Sequence, residues 1–263
     1  MFFILVPVIA PALGQLLINF FDWKSIFYFN LIFGVIIMLW FWKRQPETLL
    51  LEKRIKFSSH LFIDGTIEFF KHKQAVAFTF VSGFITGSFM VYLSTSQQIF
   101  QEQYHLAEMF PYIFASLAIS IGLATFLNSR LVVKYGMMRI AYLASIAYVI
   151  VSVLYVILFW SGSNPSIYVL LGFFALQFFA VGFLFGNLRA IAMQPLGHIA
   201  GIGAAINGFI STVMAVPIAN YIGDYVTDSV LPLFIGFSIF GILSFFVFLL
   251  VKNNAVRVNA SRT

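Results

Sequence analysis

The sequence predicts an all-α integral membrane protein with eight transmembrane helices. Hydrophobic residues make up 61% of the chain and charged residues only 9%, whereas soluble proteins carry about 25% charged residues. The apolar residues form repeated runs of about 20, the length that an α-helix needs to cross a bilayer. Apolar and polar residues do not alternate within these runs, as residues 244–251 (SFFVFLLV) illustrate. This pattern excludes the strands of a transmembrane barrel.

The eight predicted spans are separated by short connections, apart from residues 43–73 and 98–109. In chain order they cover about residues 2–20, 25–42, 75–97, 110–131, 140–160, 167–188, 201–222 and 231–251. The first span is apolar from Met1, without the basic region and small-residue cleavage site of a signal peptide. We therefore interpret it as a span whose beginning is missing rather than as a targeting peptide.

Basic residues are distributed unequally between the two sides of the predicted topology. Seven of the fifteen Lys and Arg residues lie in residues 43–73, and Lys24 is the single one on the opposite side. The remaining basic residues of the first side are Arg130, Lys134, Arg139, Arg189, Lys252, Arg257 and Arg262. Because short cytoplasmic loops are enriched in Lys and Arg, this side is predicted to be cytoplasmic. Both termini then face the cytoplasm of a bacterial inner (plasma) membrane.

The long connection at residues 43–73 also contains recurrent hydrophobic residues. Leucine, isoleucine and phenylalanine recur among its charges, most densely in residues 61–70. A helix lying on the membrane surface, with its basic residues at anionic headgroups, explains this mixture. A solvated loop is the alternative.

Several kinds of chemistry have no support in the sequence. No ionisable residue lies well inside a predicted span, and such residues mark ion or proton paths. The chain has no Cys, no nucleotide-binding G-x-x-x-x-G-K-[ST] and no H-E-x-x-H, and its four His are scattered in loops. No basic patch interleaved with aromatic residues suggests nucleic-acid binding. We therefore expect no metal, no cofactor and no enzymatic activity.

Uncharged polar residues do enter the predicted spans. Tyr92, Gln97, Gln177 and Asn207 are the candidates to line a cavity, although interhelical packing explains such groups as well. Glycines four residues apart recur at 83 and 87, 182 and 186, and 197 and 201, and this spacing favours close helix packing. Pro7 and Pro11 predict kinks in the first span.

Motifs along the chain resemble those of drug:proton antiporters of the major facilitator superfamily (MFS). Residues 6–14, with Pro7, Pro11 and Gly14, resemble the proline-glycine motif of that family's fifth span. In its bicyclomycin-resistance (Bcr/CflA) branch, the PETL at residues 46–49 is similar to the end of span six. Residues 186–201 resemble the segment leading into span eleven, and the Pro-Leu at 232–233 fits the last span.

A further motif of the same branch resembles the cytoplasmic loop between its spans eight and nine. In this chain it comprises Asn128, Arg130, Gly136 and Arg139.

The resemblance implies that the eight spans match spans 5–12 of a twelve-helix transporter. Residues 1–42 would be the last two helices of an N-terminal bundle, and residues 43–74 a cytoplasmic linker. Residues 75–252 would form the C-terminal six-helix bundle, and residues 253–263 a cytoplasmic tail. The first four spans, and with them the proton-coupling residue and most of an N-terminal half, would be lacking.

The implied function is efflux of a drug or other hydrophobic small molecule against inward flow of protons across the lipid bilayer. Tyr92, Gln97, Gln177 and Asn207 would line the substrate cavity between two rocking bundles. The alternative is a non-transporting truncated membrane protein or pseudogene product.

Overall fold

The computed structural model describes residues 13–14, 16–47 and 58–260, without the side chains of residues 59 and 252–260. Every regular element in these residues is helical. The helices are α1 (Lys24–Arg44), α2 (Ser59–Lys71), α3 (Lys73–Gln97), α4 (Phe110–Tyr135), α5 (Met137–Leu158), α6 (Ile167–Met193), α7 (Ala200–Gly223) and α8 (Leu231–Ala260). A π-helical segment, Gln98–Gln103, continues α3, and a 3₁₀ segment, Gln194–Ile199, joins α6 to α7.

Six stretches of the described residues are long and apolar enough to cross a membrane. They are Lys24–Arg44, Lys73–Gln103, Phe110–Tyr135, Met137–Leu158, Ile167–Gly223 and Leu231–Val251. The all-helical membrane fold is thus confirmed, whereas the count of eight spans is not. Most of the predicted first span, including Pro7 and Pro11, lies outside the described residues. Gly14 lies in a helical stretch, with open space beside its Cα.

The fifth stretch, Ile167–Gly223, has 57 residues and contains both α6 and α7. A single straight helix of that length would extend about 85 Å, against a hydrocarbon core of about 30 Å. Contacts with α3 show that the chain instead reverses at the 3₁₀ segment. The start of α3 meets the end of α6, since the Gln74 side chain donates to the Ile191 carbonyl oxygen (3.2 Å). The same end of α3 meets the start of α7 through Thr79 and Asn207.

Helices α3 to α8 alternate in direction within one bundle. Helix α3 packs against α6, α7 and α8, while α6 also packs against α4 and α5. Helices α4 and α6 run parallel, with Ser120 beside Ala175 and Asn128 beside Asn187. Helices α5 and α8 run antiparallel, since Tyr155 stacks on Phe234 near one end and Tyr142 on Phe245 near the other. The basic ends of α3, α4, α5 and α6 therefore meet at one end of the bundle.

Glycines set the closest helix contacts. A Cβ at Gly83 or Gly87 would crowd Met214 or Ile218 of α7, and one at Gly182 would lie 2.5 Å from the Ile121 carbonyl oxygen of α4. The predicted close packing is confirmed at these three glycines. It is wrong for Gly186, Gly197 and Gly201, where nothing lies within 4 Å of an added Cβ.

The predicted linker forms a helix, α2, over its second half. Gly65 of α2 packs on Ile202 of α7, and Phe69 is buried with Ala75 and Leu196. Other apolar side chains of α2, including Phe62 and Ile67, are exposed. A position at the membrane surface stays a prediction, as do the domain boundaries, and residues 48–57 of the linker lie outside the described residues. Helix α1 has no buried residue within the described part of the chain.

Candidate substrate-binding site

A cavity of about 240 Å³ lies between α3, α4 and α6. Five aromatic side chains line it: Phe89 and Tyr92 from α3, Phe114 from α4, and Phe178 and Phe185 from α6. Their rings contact one another, with centroids of Tyr92 and Phe178 4.5 Å apart and those of Phe89 and Phe185 5.5 Å apart. We call this cavity the aromatic pocket. Small-molecule sites in proteins are commonly concave, apolar and aromatic, with few polar groups.

Helical periodicity places these side chains on common faces. Phe89 and Tyr92 are three residues apart on α3, and Phe178 and Phe185 are seven apart on α6, so each pair projects from one side of its helix. Gly182 lies between the two α6 phenylalanines and contacts the backbone of α4 directly. Close approach of α4 and α6 at this glycine therefore fixes the width of the aromatic pocket.

The polar groups of the aromatic pocket are few. Tyr92 is 2% exposed, and none of the described residues hydrogen-bonds its hydroxyl group. The hydroxyl of Thr125 donates to the carbonyl oxygen of Ile121 (2.9 Å) in its own helix. Buried polar groups normally have a hydrogen-bond partner. A ligand in the aromatic pocket could therefore form a hydrogen bond with the Tyr92 hydroxyl group.

The other three candidate residues lie elsewhere in the bundle. Gln97 is exposed and donates to Gln101 (3.1 Å), whereas Asn207 is buried and donates to Thr79 (2.7 Å). Thr79 and Gln97 are about 27 Å apart along α3. Gln177 is fully buried, beside Tyr148 of α5. The four residues are thus not brought to one place, and their role in a substrate cavity stays a prediction.

The residues of the predicted loop motif lie at the end of the bundle that carries the basic residues. The amide nitrogen of Asn187 donates to Asn128 (2.7 Å), joining α6 to α4. Gly136 has φ +78°, which glycine adopts readily, and separates α4 from α5 with a single residue. The guanidinium groups of Arg130 and Arg139 lie over the rings of Phe126 and Tyr135.

Sequence reasoning named Tyr92 but missed the four phenylalanines around it, and it named Asn128 but missed its pairing with Asn187. Phe89, Phe114, Phe178 and Phe185 are four of 34 phenylalanines, so composition could not single them out. The sequence signal that could have identified them is that aromatic residues recur along α3 and α6 at spacings close to the helical repeat. Asn128 and Asn187 are 59 residues apart, and only the parallel packing of α4 and α6 brings them together.

The fold defines a multi-pass α-helical membrane protein. The family model described as Major Facilitator Superfamily matches residues 1–219. The chain therefore belongs to the major facilitator superfamily, a family of transporters rather than enzymes, as the motifs predicted.

Two curated relatives are similar to this chain. The bicyclomycin resistance protein homolog of Haemophilus influenzae (strain ATCC 51907 / DSM 11121 / KW20 / Rd) is 29% identical over 143 residues, 53% of this chain and 36% of the relative. The uncharacterized MFS-type transporter YdgK of Bacillus subtilis (strain 168) is 26% identical over 233 residues, 85% of this chain and 56% of the relative. The chain thus spans at most 56% of the length of either relative. No solved structure matches it significantly.

Proposed function

We propose that this protein takes part in the export of hydrophobic small molecules, as a transporter of the bicyclomycin-resistance type coupled to inward proton flow. The observation that carries the proposal is the aromatic pocket, whose walls suit an apolar or aromatic molecule. The name of the Haemophilus influenzae relative supports the drug-resistance branch. No carboxylate lies well inside the spans of this chain. If coupling runs through a carboxylate, that carboxylate would belong to another part of the transporter.

The proposed topology has eight spans, with both termini in the cytoplasm of a bacterial plasma membrane. Helix α1, the six bundle helices and the helical stretch before Asp22 would supply these spans. The direction of the bundle helices supports the orientation. It gathers Lys73, Lys134, Arg139 and Arg189 at one end, and the acidic loop residues Glu102, Glu108, Asp224 and Asp228 at the other. The basic end is the cytoplasmic one by the positive-inside rule.

Substrate would bind in the aromatic pocket against Phe89 and Phe185, with the Tyr92 hydroxyl hydrogen-bonding a polar atom of the molecule. Gln97, Gln177 and Asn207 remain proposed as cavity residues. Of these three residues, Gln97 has an exposed side chain, so its amide can contact a solute directly.

Export of an aromatic dye from cells lacking their own exporters tests the proposal. Phe185→Ala removes a half-buried ring from the pocket wall, and aromatic contacts contribute about 0.5–1.5 kcal/mol beyond area burial. We expect a loss of about two- to tenfold in export efficiency. Tyr92→Phe keeps the ring and removes the hydroxyl, so it should weaken export only of substrates that hydrogen-bond it.

Phe246→Ala is the matched control, because Phe246 is a 57% exposed phenylalanine of α8 outside the pocket. Equal membrane abundance of all variants is verified by immunoblotting. Equal export by wild type, Phe185→Ala and Phe246→Ala would contradict the proposed site. If this chain exports no dye at any abundance, transport by the chain is contradicted and the non-transporting alternative is favoured.

A further inference from the structure

A second, larger cavity lies on the opposite face of α6 from the aromatic pocket. It has a volume of about 430 Å³ and lies between α4, α5 and α6. Its α6 residues are Leu176, Phe179, Ala180 and Phe183. At 3.6 residues per turn, these residues are centred about 180° from Phe178 and Phe185 of the aromatic pocket. We call this cavity the outer groove.

The outer groove has the dimensions of one lipid tail in one leaflet. Its α5 wall runs from Arg139 to Val151, which is about 18 Å along the helix axis. One leaflet of a hydrocarbon core of about 30 Å is about 15 Å deep. Small side chains form the floor, since Ala144 and Ala180 are buried, and Leu143 and Leu176 form an exposed rim. The groove is therefore an apolar channel on the surface of the bundle.

Positive charge is concentrated at one end of the outer groove. Arg139 is part of its lining, and Lys134 lies with its ammonium group 5.1 Å from the ring centre of Tyr135, another lining residue. The sequence has no acidic residue between Glu108 and Asp224, so α4, α5 and α6 supply no carboxylate to these cations. Glu68 of α2, which forms ion pairs with Lys71 and His72, lies on a different helix.

Backbone geometry adds to this positive potential. Helix α5 begins at Met137, beside Arg139, and no side chain caps its N-terminus. Free backbone N–H groups and the helix dipole favour an anion at this position. Arginine binds phosphate oxygens in a bidentate manner. Basic pockets between transmembrane helices accordingly suit anionic lipid headgroups.

We propose that the outer groove binds an anionic phospholipid, with one acyl chain along the alanine floor and the phosphate at Arg139. The apolar channel and the basic end together select this ligand, because a neutral molecule would leave the charge uncompensated and a free phosphate would leave the channel empty. The site rests on the membrane-embedded fold and not on the proposed substrate of the aromatic pocket.

Native mass spectrometry of the purified full chain tests the proposal. The protein is equilibrated in detergent with equal amounts of phosphatidylglycerol and phosphatidylcholine, and retained lipids are counted. We expect the wild type to retain phosphatidylglycerol preferentially. Arg139→Gln should weaken its retention about fivefold, the effect of one basic residue at a lipid headgroup. Arg189→Gln is the matched control, because Arg189 is an exposed arginine at the same end of the bundle, on the opposite face of α6.

A second pair of variants tests the channel. Ala147 is an exposed residue of the groove wall, so Ala147→Trp fills the groove without entering the core and should abolish retention of the lipid. Ile239→Trp adds similar bulk at an exposed position of α8 and should leave retention unchanged. Circular dichroism verifies the helical content of each variant. Equal loss in Arg139→Gln and Arg189→Gln, or unchanged retention in Ala147→Trp, would overturn the proposal.

Discussion

Gly182 should be the position at which adding a single methyl group is most damaging to the packing of α4 on α6. A Cβ there would lie 2.5 Å from the Ile121 carbonyl oxygen, where ordinary contacts begin near 3.4 Å. Relief of the clash requires the helices to separate by about 0.9 Å, because the obstacle is backbone and not a flexible side chain. The Asn187–Asn128 hydrogen bond would then stretch from 2.7 Å to about 3.6 Å, beyond hydrogen-bonding distance.

The expected cost of Gly182→Ala follows from these two effects. Overpacking of a core typically costs about 1–3 kcal/mol, and hydrogen bonds between transmembrane helices contribute about 0.6 kcal/mol on average. We expect a loss of about 2 kcal/mol in the free energy of unfolding. Gly186→Ala is the control in the same helix, because nothing lies within 4 Å of its added Cβ. Both substitutions replace glycine with a residue of higher helix propensity, so Gly186→Ala, which creates no clash, should show only this small stabilisation.

Unfolding in mixed micelles with increasing SDS, followed by far-ultraviolet circular dichroism, measures the difference. A double-mutant cycle with Asn128→Ala tests the mechanism. If helix separation breaks the pair of asparagines, Gly182→Ala should cost less when Asn128 is already absent. The reasoning is refuted if Gly182→Ala and Gly186→Ala unfold at the same SDS fraction.

Two further predictions concern the ends of the bundle. The chain has no cysteine, so a membrane-impermeant thiol reagent on intact cells should label Glu108→Cys and not Lys134→Cys; the reverse pattern would contradict the proposed orientation. Hydrogen bonds from Lys71 and His72 lower the pKa of the Glu68 carboxyl group below its ordinary value of 4.5. The pKa is lowered only in the folded state. The ionised Glu68 carboxyl group therefore stabilises the fold at pH values above its ordinary pKa, and this stabilisation is lost as the pH falls through the lowered pKa. A carbon NMR titration should give a higher pKa for Glu68 in Lys71→Gln, and an unchanged pKa would contradict this cause.

The fold class and the family were accessible from the sequence because both depend on local information. Run length and hydropathy identify a membrane helix without any tertiary contact, and motifs such as residues 128–140 are contiguous. Contacts between distant segments were not accessible in this way. The spacing at Gly182 and Gly186 predicted a close approach for both glycines, yet only Gly182 faces the backbone of α4. Which glycine faces a neighbour depends on the rotation of α6 about its axis, and spacing alone leaves that undetermined.

The contact between α2 and α7 was inaccessible for the same reason. The alternation of charged and apolar residues predicted a helix at a membrane surface. The structure adds that Gly65 packs on Ile202 and that Phe69 is buried with Leu196. Both partners lie more than 120 residues further along the chain. A surface helix and a helix docked on the bundle have the same amphipathic pattern, so hydropathy cannot distinguish them.

Helix α6 shows why hydropathy alone does not identify which face of a membrane helix packs against which neighbour. Apolar residues lie on every side of it, so hydropathy does not separate the face of the aromatic pocket from that of the outer groove. Each of the two faces carries two phenylalanines, and they differ in the small residue Ala180 on the face of the outer groove. Phe178 and Phe185 supply the rings of the aromatic pocket, whereas Ala180 leaves the floor of the outer groove open. In a bilayer, burial of apolar surface favours neither face, so small residues such as Ala180 and Gly182, which allow close packing or leave space, distinguish the faces where polarity does not.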